Sequence, residues 1–573
     1  MRKGPSRFRK EGEERDGPRR RAPVTRRRDV GPDEKRERPI KEGIDAMGYE
    51  QYDNIIEPFL ENVRAHPDRL ACVCGDVTHT YAEMNVLTDR IARAFVDRGI
   101  GAGDKVAYLI PNSIELVGVY LAIQRIGAVA VPLNYRLISR EIAFLTNAVD
   151  AKLLVFDKQF VDKVTAVLSV FDSDLDLMGV GASTPYAPRL WDLASEVPID
   201  PEVPLFKDAS ALSRIQFTGG STGLPKGACR THRQDLTEIH ACIASNDMLE
   251  MDHPVALIQC PLEHHGGHSW FMSALSAGAT TVICGKFNPQ SILAQIEQYG
   301  VTHMILLPPT TYLRLMRDEH VGDYDLSSIR IVQSAAGAMT PEVISEAFEV
   351  FPNTEVNYGW GQSESGTGTS IRITRDMVDR RVPELASVGI PMETLEVRIV
   401  DDDGRDVEEG QPGEAIVKSP AVMSGYYGQD DLTRNAFTDD GWLHTGDIMR
   451  RDENGYLYLM ARKKDMIKSG GENVFINEVQ TAILRNPKVA DCVVFGTSDS
   501  VMGEAVATVV QPQPGVELTV EEVQETCKQY IASYKKPRYV EFIDDLHRDD
   551  AGKVRLKDVI DYFDRKRAEK ERK

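Results

Sequence analysis

Thr218-Gly219-Gly220-Ser221-Thr222-Gly223-Leu224-Pro225-Lys226-Gly227 follows directly on Ile215-Gln216-Phe217, an apolar run that reads as a strand. Glycines let backbone N–H groups approach an anion, hydroxyls add donors, and the lysine adds a mobile positive charge, a combination suited to polyphosphate. A Walker A loop needs Gly directly before Lys and then Ser or Thr opening a helix. Here Pro225 precedes Lys226 and Gly227-Ala228-Cys229 follows, so a P-loop NTPase is excluded. By composition alone the same ten residues also read as a surface turn rich in Gly and Ser.

At 573 residues the chain is too long for one ordinary core, and at least two domains are expected. Its apolar share of 42% and charged share of 27% are those of a globular protein. The net charge of −20 argues against a general nucleic-acid binder, and it means that a nucleotide must be held by local donors. Eight cysteines (Cys72, Cys74, Cys229, Cys242, Cys260, Cys284, Cys492 and Cys527) are scattered without CxxC spacing. Free buried thiols, a reducing compartment and no structural zinc are expected from that pattern. No apolar run reaches the roughly 18 residues of a membrane span, and no signal-type apolar region opens the chain. A cytoplasmic enzyme is the expectation, with peripheral membrane contact left open for a greasy substrate.

Residues 1–46 are rich in Arg, Lys, Glu, Pro and Gly, include Arg19-Arg20-Arg21 and Arg26-Arg27-Arg28, and have almost nothing apolar to bury. They read as a disordered tail, dispensable or used in targeting or nucleic-acid contact, with Met47 as an alternative start. From Tyr49 the pattern alternates short strands with amphipathic helices. Thr80 caps a helix carrying Tyr81, Met84, Leu87, Ile91 and Phe95, with Gly99 at its end. Val106–Ile110 reads as a strand, Ser113–Ile126 as a helix before Gly127, and Val129–Pro132 and Leu153–Phe156 as strands. This is βαβ logic and predicts a largely parallel sheet covered by helices. Further strands are expected at Val255–Cys260, Ile305–Pro308 and Ile329–Val332, and a helix start at Thr340-Pro341-Glu342.

Further along, short polar clusters punctuate this pattern. Pro261-Leu262-Glu263-His264-His265-Gly266-Gly267 follows one strand, and Ser334-Ala335-Ala336-Gly337-Ala338-Met339 follows another with residues small enough for a flat ring to lie against backbone. Asn357-Tyr358-Gly359-Trp360-Gly361-Gln362-Ser363-Glu364 ends in a carboxylate, the hard oxygen ligand that Mg²⁺ takes together with substrate phosphates. In Gly441-Trp442-Leu443-His444-Thr445-Gly446-Asp447 the last residue can accept hydrogen bonds from both hydroxyls of a ribose. Arg462-Lys463-Lys464-Asp465-Met466-Ile467-Lys468-Ser469-Gly470-Gly471-Glu472-Asn473 precedes a compact α+β stretch, with helices at Asn477–Leu484 and Val520–Ala532 and strands at Cys492–Phe495, Ala505–Val510 and Tyr539–Ile543. Leu546-His547-Arg548-Asp549-Asp550-Ala551-Gly552-Lys553 lies near the end. Taken singly, each cluster also reads as an ordinary turn, a satisfied histidine or a solvated charge.

Their order from Thr218 to Lys553 resembles the adenylate-forming superfamily of acyl-CoA synthetases, luciferases and peptide-synthetase adenylation domains, over roughly Tyr49 to Tyr562. The resemblance implies an α/β fold: a large N-terminal domain of mostly parallel sheets flanked by helices plus a β-barrel-like part (47–464), and a small mobile α+β C-terminal domain (465–573) beyond a hinge at Asp465. It also implies a nucleotide site of Thr218, Gly219, Gly220, Ser221, Thr222, Gly223, Lys226, Gly337, Ala338, Tyr358, Gly359, Trp360, Gly361, Gln362, Ser363, Asp447, Arg462 and Lys553. Glu364 would hold Mg²⁺, and Lys553, Glu364 and Thr218 would be catalytic. His264, Gly337, Lys468, Gly470 and Gly471 would border the acyl and CoA pocket. Glu263, His547 and Asp549 depart from the family's pattern, Glu263 standing where an aromatic residue is usual.

The implied reaction has two steps: a carboxylic acid attacks MgATP to give an acyl-adenylate and pyrophosphate, and CoA then takes the acyl group as a thioester. A stand-alone enzyme loading the phosphopantetheine of a carrier protein is the alternative. A luciferase-like oxygenase draws no specific support, and a decayed, non-catalytic relative is opposed by the presence of Lys226, Glu364, Asp447, Arg462 and Lys553. The acid is left open among fatty, alicyclic and aromatic classes, with medium to long acyl chains mildly preferred, and a homodimer is the working expectation.

Overall fold

The computed structural model describes residues 49–571 apart from 173, 182, 196–201, 219–224, 308–309, 336–338, 464–465, 470–471, 500–501 and 547–553. The expectations placed on the tail, on Gly219, Gly220, Ser221, Thr222, Gly223, Gly337, Ala338, Asp465, Gly470, Gly471 and Lys553 therefore lie outside the described residues, as does the side chain of Lys468.

Two large sheets form the N-terminal part. In the first, four strands (Val129–Pro132, Lys105–Leu109, Ala151–Asp157 and Asp176–Val180) run parallel, joined at one side by a hairpin of β1 (Leu212–Thr218) and β2 (Lys226–Thr231). The short strand Gly425–Tyr426 pairs antiparallel with the outer edge of β2. The second sheet has a parallel centre from Glu355–Tyr358 through Val255–Ile258 to Leu70–Cys74, with antiparallel strands at both edges. Between the sheets the largest core joins helix residues Ile91, Leu121, Ile239 and Leu275 to Val106 and Tyr108 of one sheet and Ala256 and Ile258 of the other.

Local chemistry explains where the elements begin. The Thr80 hydroxyl accepts from Glu83 N, and the Glu83 carboxylate accepts from Thr80 N, a reciprocal capping box for Tyr81–Asp97. Ser113 caps Ile114–Arg125, and Thr340 caps Pro341–Val350 with proline at the first helical position. Two expected strands are displaced: Ile305–Pro308 is replaced by His303–Ile305, because pairing with Ala256–Leu257 and Ile331–Gln333 selects an earlier part of the same apolar run, and Ile329–Val332 is replaced by Ile331–Ser334, which pairs with Glu355–Tyr358.

The part expected to be barrel-like is a four-stranded antiparallel sheet in the order Glu396–Val400, Gly413–Lys418, Leu443–Arg451, Leu457–Arg462. Beyond it, Gly503–Pro512 pairs with Val489–Asp499, Met466–Ser469 and Tyr539–Phe542 in a small sheet with its own apolar clusters on two faces. The helices Ile476–Leu484, Val520–Tyr530 and Leu556–Glu571 complete the α+β unit. All eight cysteines are free, seven of them buried. No helix among the described residues is long and apolar enough to cross a membrane.

Candidate active site

The β1–β2 hairpin organises the site through simple alternation. Successive strand side chains point to opposite faces, so Arg214, Gln216 and Thr218 share one face with their partners Arg230, Ala228 and Lys226. Ile215 and Cys229 face the other way into an apolar cluster. The Thr218–Lys226 pair closes the ladder, so both ends of the glycine-rich segment are fixed by β pairing and no helix follows it.

From this face Thr218 Oγ1 donates to Glu364 Oε1 at 3.3 Å, joining the first motif to the candidate metal ligand 146 residues later. Tyr426 Oη donates to the same oxygen at 3.2 Å, and Lys226 Nζ lies 5.3 Å from the centre of the Tyr426 ring. Burial, and then the neighbouring Glu364 charge, pushes the Tyr426 phenol up, so it remains a donor at neutral pH. Among the described residues no donor lies on Glu364 Oε2, which leaves that oxygen for a ligand. Tyr426 was not identified from the sequence. The only signal was its aromatic ring in a Gly-Tyr-Tyr-Gly sequence, 62 residues from Glu364 and 200 from Lys226.

Asp447 is buried, with Trp360 Nε1 and Gln362 Nε2 each donating to its Oδ2 at 2.8 Å. Arg462 Nε lies 3.2 Å from Oδ1, and the two residues are register partners on adjacent strands. Trp360 and Gln362 are thus brought together with Asp447 as its supports, their polar hydrogens directed at the carboxylate. Gln362 Nε2 also donates to Thr445 O at 3.0 Å. Tyr358 is buried at the end of its strand, and the flanking glycines are required by close approach: a Cβ on Gly359 would sit 2.2 Å from Thr369 O, and one on Gly361 2.6 Å from Gly366 O. Ser363 is linked through its carbonyl, which accepts from Arg230 Nη1 at 3.3 Å.

Beneath these motifs lies a buried charge network. Arg214 and Arg230 stand opposite each other in the hairpin, a like-charge pairing that would be unfavourable alone. The helix α1 (His232–Ser245) answers it with Asp235 and Glu238, one turn apart on one face. Arg214 Nη2 and Arg230 Nε lie 2.8 and 2.6 Å from Asp235 Oδ1, and Arg230 Nη2 lies 2.7 Å from Glu238 Oε2. Burial opposes the Glu238 charge, but His265 and Arg230 outweigh it and hold the carboxyl well below its usual range. Burial also lowers the His265 pKa, against the raising effect of Glu238; Nδ1 faces Arg214 Nη2 at 3.1 Å and Nε2 faces Glu238 Oε1 at 2.9 Å. Glu238 Oε1 further accepts from Thr367 N and Oγ1, both at 3.1 Å. Arg230 Nη1 donates to Ala421 O at 3.0 Å. The network thereby clamps the hairpin to the Ser363–Thr367 turn. The available sequence signal was one arginine on each side of the glycine-rich segment, Arg214 before it and Arg230 after it.

The segment before α2 (His265–Ser276) carries His264 and Glu263. His264 is the N-cap residue, and its Nε2 lies 3.4 Å from Asn134 Nδ2. Glu263 is 3% exposed, and burial raises its carboxyl to about 7 against weaker lowering by its own backbone amide and by Arg136. Its folded pKa is raised, so its stability contribution is complete below about pH 4.5 and is lost as pH rises through 7. Glu263→Gln is therefore expected to gain about 2 kcal/mol on the parent protein between pH 5.5 and 8. Urea midpoints at the two pH values check this, and a pH-independent difference refutes it.

The sequence matches the family model described as AMP-binding enzyme over residues 59–427, and that described as AMP-binding enzyme C-terminal domain over 478–553. Similar curated relatives include a feruloyl-CoA synthase from an Amycolatopsis species, 30% identical over 86% of this chain and 96% of the relative. A long-chain-fatty-acid–CoA ligase of Mycobacterium tuberculosis is 30% identical over 85% of this chain and 93% of its own. Among solved structures, the amide bond synthetase McbA from Marinactinospora thermotolerans superposes with a TM-score of 0.78 at 26% identity, covering 88% of this chain and 99% of the other. With the motifs converging on Glu364 and Asp447 and the family model spanning most of its length, the chain belongs to the AMP-binding enzyme family.

Proposed function

We infer that the chain is an AMP-forming acid–CoA ligase, which activates a carboxylic acid with ATP and passes the acyl group to CoA. The observation that carries this reading is the convergence of Thr218, Tyr426 and Lys226 around Glu364, with the Asp447–Arg462 pair on adjacent strands. Asp447 has the chemistry to accept from the ribose hydroxyls, and Arg462, largely exposed beside it, to neutralise a phosphate. Lys226 supplies charge to the pyrophosphate, and Ser363 a hydroxyl.

Among the described residues no group of three or more His, Cys, Asp or Glu side chains forms a metal cage. A single carboxylate with a free oxygen fits Mg²⁺, which keeps most of its sphere for water and substrate phosphates. When bound at Glu364, the ion would supply charge neutralisation to the phosphates; Thr218 and Tyr426 meanwhile fix the plane of its ligand. Lys553 is assigned to the charge that builds on the reacting phosphoryl group, and no protein nucleophile takes part. Asp465 is assigned as the hinge between residues 47–464 and 465–573, with Lys468, Gly470 and Gly471 on the thiol side together with His264. The assignment extends to a cytoplasmic homodimer.

The test is pyrophosphate release with ATP across fatty, alicyclic and aromatic acids, followed by thioester formation with CoA or a phosphopantetheinylated carrier protein. Acid-dependent release and transfer to CoA are expected; release that ignores the acid refutes the reading.

A further inference from the structure

Gln216 and Thr218 lie on the same face of β1, about 7 Å apart along the strand. Thr218 contacts Glu364, while Gln216 Nε2 donates to the carbonyl of Glu263 at 2.9 Å. The backbone of Glu263 is therefore held one pleat away from the candidate metal ligand. Gln216 is itself fixed, its Oε1 accepting from Arg214 Nη1 at 3.1 Å, and Arg214 is locked by Asp235. On the other side, Leu262 N donates to Asn112 Oδ1 at 2.8 Å.

A built position thus ends in an unsatisfied group. Glu263 is 3% exposed, yet neither carboxyl oxygen has a hydrogen-bond partner in another of the described residues. Buried polar groups are nearly always paired, and leaving one unpaired costs its desolvation. An aromatic side chain, usual at this place in the sequences the chain resembles, would avoid that cost. Such a group is retained when a ligand completes it. Once ionised, the carboxylate repels phosphates and the reacting carboxylate, and a thiol is too weak a donor to compensate it. A hydroxyl or amino group is of the right kind.

We propose that Glu263 is a specificity-determining residue that accepts a hydrogen bond from a hydroxyl or amino group on the acyl part of the acid. The preferred substrates then carry such a donor in place of a plain hydrocarbon skeleton. This rests on the reading of the chain as an acid-activating ligase. A site that hydrogen-bonds a substrate hydroxyl rejects the analogue lacking it more strongly than an apolar pocket can reject an added methylene.

The experiment measures kcat/KM for pyrophosphate release with matched pairs: benzoic and aminobenzoic acids, cinnamic acid and its ring-hydroxylated forms, octanoic acid and its hydroxy derivatives. The full-length parent, Glu263→Gln and Glu263→Phe are compared, with thermal midpoints confirming that each is folded. In the parent at least one donor-bearing acid is expected to exceed its plain partner by about tenfold or more. Glu263→Phe should bring that ratio to one or below while changing the plain acid less than about threefold, and Glu263→Gln, which keeps an acceptor, should retain part of it. A parent that activates plain acids as well as every donor-bearing partner overturns the proposal. So does a Glu263→Phe variant with an unchanged ratio, or one that slows both members equally. A parent releasing pyrophosphate with no acid overturns the ligase reading itself, and the proposal with it.

Discussion

Replacing Lys553 by alanine is expected to slow acid-dependent ATP–pyrophosphate exchange by about 10²–10³-fold or more, while thioester formation from supplied acyl-adenylate continues. The expectation follows from the proposed division of labour. Displacement at the α-phosphorus gathers negative charge on the phosphoryl oxygens and on the departing pyrophosphate, and a positioned cation acts there at full strength. Transfer to the thiol expels AMP, whose phosphate is already anionic, so it needs no such help. Lys553 lies in the small C-terminal part, and the remaining cations, Lys226 and Arg462, belong to the large part. Exchange at the parental rate in the variant would remove Lys553 from the mechanism without touching the assignments of Glu364 and Asp447.

Arg230→Met should be the most damaging of the core substitutions, costing about 3–5 kcal/mol, because it leaves Asp235 and Glu238 buried with less compensating charge. It also removes the donor to Ser363 O and Ala421 O, so the turn that carries Glu364 loses its tie to the hairpin. The paired variant Arg230→Met/Glu238→Gln should recover part of the loss. The glutamine oxygen still accepts from Thr367, and Asp235 keeps Arg214. Urea unfolding of the three proteins measures both effects. A single-variant cost below about 1 kcal/mol, or a double variant no better than the single, would show that the network is not held by charge compensation.

The elements were legible where local chemistry dominates. Thr80 with Glu83, Ser113, and Thr340 with Pro341 announce their helices without help from the rest of the chain. Strand ends were less so. The apolar stretch around Ile305 has no periodicity that marks its boundaries, and the ladder with neighbouring strands decides them. Val489–Asp499 and Gly503–Pro512 likewise extend past their apolar centres because an antiparallel ladder continues through polar residues. The site motifs could be read because each is short and contiguous. What joins them could not. Tyr426 reaches Glu364 only through the pairing of Gly425–Tyr426 with β2, and Asp235 and Glu238 meet the two arginines only once the hairpin and α1 have packed.

The hairpin also sets where this enzyme tolerates a change in chain length. Thr218 and Lys226 are paired, so adding or removing a residue in the sequence between them leaves both strands in place. A single residue inserted within β1 has another outcome. It turns one end of the strand over, and Arg214, Gln216 and Thr218 can no longer share a face. The charge network, the anchor of Glu263 and the contact with Glu364 would then be lost or separated in one stroke. For recombination between relatives, the crossover belongs in the glycine loop, and β1 has to be inherited whole.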